Sequence, residues 1–127
     1  MPSSNEESHP KANRVKTGRA FEDRAAEFYL SRGFEIVARN WQAGHKEIDL
    51  IVRNESLLVF VEVKSSRSAK FGHPSESVNQ RKQERLIAAA RQFIAQSELT
   101  ETDFRFDVVT FWEGKMEHYP NAFEARS

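Results

Sequence analysis

Two apolar runs, EIDLIVR (47–53) and LLVFVEVK (57–64), are separated only by Asn54, Glu55 and Ser56. So short a gap reads as a β-hairpin. With a two-residue loop at Glu55-Ser56, Asn54 pairs with Leu57. Asp49 then falls opposite Glu62, Glu47 falls opposite Lys64, and all four face one side of the sheet. A three-residue loop slides the register by one and sends Asp49 to the other side. Ile51, Leu58 and Phe60 share the side of Glu62, so a helix is expected to cover it. An unpartnered charge in such a place is costly, which makes these residues the ones to explain.

The rest of the chain supplies the helices. Phe21, Ala25, Phe28 and Tyr29 recur at helical spacing, in a helix capped by Thr17 and stopped at Gly33, with Glu22 beside its apolar stripe. FEIVARN (34–40) alternates as a strand. A second helix, capped by Ser75 or Ser77 and running to about Ser97, places Val78, Lys82, Leu86, Ala89, Phe93 and Ile94 on one side. FRFDVVTFW (104–112) and KMEHY (115–119) follow as strands. The order is α-β-β-β-α-β-β: an α/β fold with a mixed sheet flanked by helices. The helix between the third and fourth strands implies a parallel crossover. Residues 1–15 read as a loose polar tail, 16–120 as a single domain and 121–127 as a C-terminal tail.

Composition narrows the function classes. The 127 residues include no cysteine, which excludes disulfides and thiolate metal sites and fits a cytoplasmic setting. MPSSNEESHPKANRVK has no apolar core of a secretory signal, and no apolar run approaches membrane-spanning length. The formal net charge is zero, yet residues 47–62 carry one Lys/Arg against four Asp/Glu, and residues 63–92 carry seven against two. An acidic spot beside a basic surface suits a metal ion next to a polyanion. A solvated helix face accounts for the same charges.

Two carboxylates across a strand pair have Cβ atoms about 5 Å apart and repel unless neutralised. Oxygen ligands of this kind suit Mg²⁺ or Mn²⁺. Lys64 would lie near a metal-activated water. The residues fit equally well a structural cluster in which Asp49 pairs with Lys64 and Glu47 with a neighbour. Trp41 and Trp112 read as strand-end core residues, Arg105 and Asp107 as structural residues on one strand face that pair with each other or with a neighbour, and His45 and His73 as loop histidines without metal-ligand spacing.

The chain resembles the YraN family of small bacterial proteins through Gly18-x-x-x-Glu22, GFEIVARNW (33–41), EIDLI (47–51), FVEVK (60–64), FGHP (71–74), Val78 with Lys82, and RFDVV (105–109). That family in turn is similar to the PD-(D/E)XK nuclease superfamily, with its restriction-endonuclease-like core, and to the archaeal Holliday junction resolvases. The resemblance implies a Mg²⁺-dependent endonuclease acting on DNA, with Mn²⁺ as a substitute. It makes Glu22, Asp49, Glu62 and Lys64 the catalytic set. Asp49, Glu62, the Val63 carbonyl and Glu22 would bind the metal, and Lys82, Arg67 and Gln83 would contact nucleic acid. A resolvase would be a homodimer, for which the strand 115–119 is one candidate face. Two departures stand out. Lys46 replaces the Gly that usually precedes EIDL, which bears on the turn, and Ser65-Ser66 replaces a Thr-Arg pair, which bears on a phosphate contact. Two rival readings keep the fold without cleavage: a nucleic-acid-binding module, and a protein-interaction domain with a structural ion cluster.

Overall fold

Two helices and five strands follow one another as α-β-β-β-α-β-β in the computed structural model, which describes residues 10–66, 78–98 and 103–124. They are α1 (Pro10–Ser31), β1 (Glu35–Ala43), β2 (Lys46–Asn54), β3 (Leu57–Ser66), α2 (Gln80–Gln96), β4 (Asp103–Trp112) and β5 (Lys115–Phe123). The strands form one mixed sheet in the order β1-β2-β3-β4-β5. β3 and β4 pair in parallel across the α2 crossover, and the other neighbours pair antiparallel. This is the order and the parallel step that the hydrophobic pattern implies.

Each helix covers its own face. Ala25, Ala26 and Tyr29 of α1 close on Leu50, Val52, Val59, Val61, Val109 and Phe111. Leu86, Ala89, Ala90 and Phe93 of α2 close on Ile48, Ile51, Leu58, Phe60 and Phe106. Burial on both faces explains why β3 reads as an unbroken apolar run rather than as an alternation. Leu58, Val59, Phe60 and Val61 are all fully enclosed. Truncating Phe60 to Ala would cost about 3–5 kcal/mol. Trp41 meets the Phe93 ring edge-on at 5.3 Å, the core role expected of it.

The helix ends show where local chemistry acts. α1 closes with Gly33 at φ 88. The Gly33 N–H donates to Leu30 O and the Phe34 N–H to Tyr29 O, the paired bonds of a Schellman motif, with the Phe34 and Tyr29 rings 5.4 Å apart. Its start lies earlier than expected. Thr17 is interior, because Pro10 suits the first turn and Lys, Ala and Arg dominate the next residues. Part of the expected N-terminal tail is therefore helical. α2 is capped by Asn79, whose Oδ1 accepts the Lys82 N–H at 3.0 Å, rather than by Ser75 or Ser77, which lie outside the described residues. β5 runs past the expected Tyr119 to Phe123. Pro120 is tolerated there because β5 is an edge strand, and the ladder shifts register between Phe106 and Val108. No helix among the described residues is long and apolar enough to cross a membrane.

Candidate active site

The β2–β3 ladder pairs Asn54 with Leu57 and runs to Leu50 and Val61, so the hairpin loop is Glu55-Ser56. One step further along, the same register would set Asp49 against Glu62, but the last pair of the ladder is Leu50–Val61. The regular ladder stops there. The Val63 N–H instead donates to Asp49 Oδ2 at 2.8 Å, so a side chain replaces a main-chain acceptor. Strand alternation slips at the same place, since Ile48 packs under α2 and Leu50 under α1. On β1, Asn40 lies between the pairs Arg39–Leu50 and Trp41–Ile48 and adopts φ 49. Local irregularities of this kind re-aim a side chain. The expected turn before EIDL is made with Gly44 at φ 64, so Lys46 is free to start the strand.

Glu62 follows Leu58 and Phe60 on the α2 side and is only 3% exposed. Two ammonium groups meet its Oε2, Lys64 Nζ at 3.2 Å and Lys82 Nζ at 3.3 Å. Lys64 comes from the same strand face, and Lys82 from the first turn of α2. Lys64 thus pairs with Glu62 rather than with Asp49 or Glu47. Glu47 instead accepts from Gln42 Nε2 at 3.2 Å. Among the described residues no cationic side chain pairs with Asp49. Burial first, and then the charge of Glu62, push its carboxyl up to about 8; the Val63 N–H pulls the other way, and Glu22 and Glu47 add to the rise. Glu22 is held on α1 by Asn40 Nδ2, which donates to its Oε1 at 3.1 Å.

The fold therefore gathers Glu22, Asp49, Glu62, Lys64 and Lys82 from four elements around the end of one ladder. Val63 contributes its N–H to Asp49. Gln83 turns elsewhere, donating from Nε2 to Val78 O at 3.2 Å. Arg67 lies outside the described residues, as does the FGHP loop. Among the described residues no three His, Asp or Glu side chains converge as a ready-made metal cage. The donor set still fits a hard dication. Mg²⁺ commonly takes one or two carboxylates and completes its shell with waters and substrate phosphate. A carboxylate pair that holds a proton near neutrality is also one that a cation can relieve.

A second polar cluster was only half legible. Asp107 pairs with Arg105 as expected, accepting from its Nε at 2.9 Å and Nη2 at 3.2 Å. It also accepts from Tyr29 Oη at 2.7 Å and the Asn121 N–H at 2.9 Å, and lies 2.8 Å from His118 Nε2. Burial by itself would raise the Asp107 carboxyl, but Arg105, His118, Tyr29 and Asn121 together hold it below its ordinary value. Burial and the Asp107 charge raise the Tyr29 phenol well above its usual range. The cluster ties α1, β4 and β5 together on the face away from Glu62. Its sequence signal was an Asp inside the apolar run RFDVV.

Residues 21–111 match the family described as Uncharacterised protein family UPF0102. The chain belongs to UPF0102. This is the YraN family to which its motifs pointed. The UPF0102 protein of Sulfurihydrogenibium sp. (strain YO3AOP1) is 35% identical over 111 residues, covering 87% of this chain and 96% of the relative. That of Clostridioides difficile (strain 630) is 37% identical over 113 residues, covering 87% and 99%. That of Hahella chejuensis (strain KCTC 2396) is 44% identical over 95 residues, covering 75% and 77%. The UPF0102 match takes in all five residues gathered at the ladder end and stops before β5.

Proposed function

We propose that the chain is a divalent-metal-dependent nuclease that hydrolyses DNA phosphodiester bonds, the chemistry of the PD-(D/E)XK nucleases that its motifs resemble. One observation carries this reading: Asp49 and Glu62 stand side by side at the end of a ladder, with Lys64 on Glu62 and the Asp49 carboxyl pushed up to about 8. In this reading Asp49 and Glu62 hold Mg²⁺ or Mn²⁺, with the Val63 carbonyl as a further oxygen. When bound, the ion supplies Lewis-acid polarisation of the phosphate and a water acidic enough to attack it. Lys64 leaves Glu62 to orient that water and to offset charge on the phosphate. Glu22, fixed by Asn40, orients waters beside Asp49. Lys82, which neutralises Glu62 in the absence of substrate, turns to a phosphate.

The double lysine contact on Glu62 favours a second reading, in which the carboxylates balance lysines and the fold binds nucleic acid without cutting it. A cleavage screen separates the two. Duplex, single-stranded and branched DNA are incubated with Mg²⁺ or Mn²⁺, with Asp49→Ala and Lys64→Ala as controls. Cleavage of any substrate that both variants abolish supports the nuclease. Salt-sensitive binding that survives both variants, with no cleavage of any substrate, overturns it.

A further inference from the structure

A pocket of about 400 Å³ opens between the start of α2 and β5, with Val78, Gln83, Val108, Tyr119, Pro120 and Phe123 in its lining. Strand register fixes where it lies. Glu62 pairs with Val108, and Val108 with Tyr119. Glu62, Val108 and Tyr119 thus form one transverse row from β3 to β5, with the Asp49 carboxyl near enough to Glu62 to feel its charge. His118 turns to Asp107 on the α1 side, so alternation puts Tyr119 on the α2 side with Glu62. Two strand spacings, about 10 Å, separate Tyr119 from Glu62. Above the sheet the same continuity holds, because Lys82 touches Glu62 and its neighbour Gln83 lines the pocket.

The two ends of this row differ in chemistry. Lys64 and Lys82 stand at the carboxylate end, and among the described residues no Lys or Arg lines the pocket. The pocket offers the Tyr119 phenol ring, the edge of His118, apolar walls and one amide, at the size of a small-molecule site. A nucleotide has the same polarity, anionic at the phosphate and flat and apolar at the base. We infer that the pocket takes an unpaired nucleobase of a strand whose phosphate lies at Asp49, Glu62 and Lys64. The inference rests on the nuclease reading for the position of the phosphate, and it names the substrate class as single-stranded or flapped DNA. A base stacked in intact duplex does not reach the pocket without leaving its partner.

The test measures binding in EDTA, where cleavage does not interfere. Fluorescence anisotropy compares a labelled oligothymidylate with a labelled abasic chain of the same number of phosphates. The protein binds the oligothymidylate roughly 5- to 100-fold more tightly, the range of one stacked base. Tyr119→Ala and the strand-compatible Tyr119→Leu each reduce that preference several-fold and leave affinity for the abasic chain unchanged. Equal binding of the two probes by the unaltered protein overturns the inference, as does full preference in folded Tyr119→Leu protein. Duplex of the same length binding as tightly as the single strand also overturns it. A base preference without any metal-dependent cleavage removes the reaction and keeps the pocket. Asp49-dependent cleavage without a base preference does the reverse.

Discussion

Asp49 Oδ2 accepts the Val63 N–H at 2.8 Å, one residue along β3 from Glu62, whose charge acts on the same carboxyl. The bond anchors a carboxylate whose neighbours otherwise disfavour its charge. Burial and Glu62 hold its proton to about 8, far above the ordinary value of 3.8. The folded protein therefore keeps a proton that the unfolded chain releases near pH 4, and the stability this confers is lost as pH rises from there through about 8. Asp49→Asn removes the titration. Urea unfolding from pH 4 to 9 should show the unaltered protein losing at most about 1.4 kcal/mol per pH unit through this group, with Asp49→Asn flatter and the more stable of the two at pH 8. Equal slopes for both proteins would remove the raised carboxyl.

Glu62 carries the opposite balance, with two lysines on one oxygen. A dication arriving at Asp49 and Glu62 must displace or repel both. Lys82→Met removes one positive charge while keeping an unbranched helical side chain. Mg²⁺ binding followed by calorimetry should tighten roughly three- to tenfold, in line with the loss of one partly solvated charge repulsion. On the proposed nuclease reading, in which Lys82 meets a phosphate, DNA affinity should fall in the same variant. Weaker Mg²⁺ binding in Lys82→Met would mean that Lys82 supports the carboxylates rather than competing for them.

Thr110 sits beside Lys64 in the parallel register, is wholly buried, and its Oγ1 has no hydrogen-bond partner among the described residues. A buried hydroxyl without a partner loses its hydration and regains nothing. Thr110→Val replaces it with a methyl group of similar size and a side chain that favours strands. Thermal unfolding of the metal-free protein should show a gain of about 1 kcal/mol. A loss of stability would mean that the hydroxyl is satisfied in solution.

Much of this was legible in the residues, for identifiable reasons. The gap of three residues between two strands announced the hairpin but left two registers open, and the Asn54–Leu57 pair selects the two-residue loop. The helical spacing of Ala25, Tyr29, Leu86 and Phe93 identified the covering faces. The ends were less legible: Asn79 caps α2 as well as a serine would, and Pro120 reads as a strand terminator although an edge strand admits it. The partner of Lys64 followed from side-chain conformation, which strand pairing does not specify. Asp107 was read as pairing with Arg105 or with an unnamed neighbour. Its bond to Tyr29 spans 78 positions and arises only when α1 packs across β4.

That long-range bond makes Asp107 a test of the fold independent of the candidate site. Its carboxylate accepts from Arg105, Tyr29 and the Asn121 N–H, and these donors lower its proton affinity despite burial. Asp107→Asn keeps the volume and removes the charge, leaving the Arg105 guanidinium without its partner. Breaking a buried pair from one side costs about 3–5 kcal/mol, and Arg105 is itself more than a quarter exposed, so the lower end applies. Tyr29→Phe removes one donor and should cost about 1–2 kcal/mol. The depressed carboxyl means that the unaltered protein has this stability in full above pH 4 and loses it as pH falls through the lowered value. The gap between unaltered and Asp107→Asn protein should therefore be widest at neutral pH and narrow in acid. A gap that stays constant down to pH 2 in urea unfolding would show that Asp107 acts through shape and not through charge.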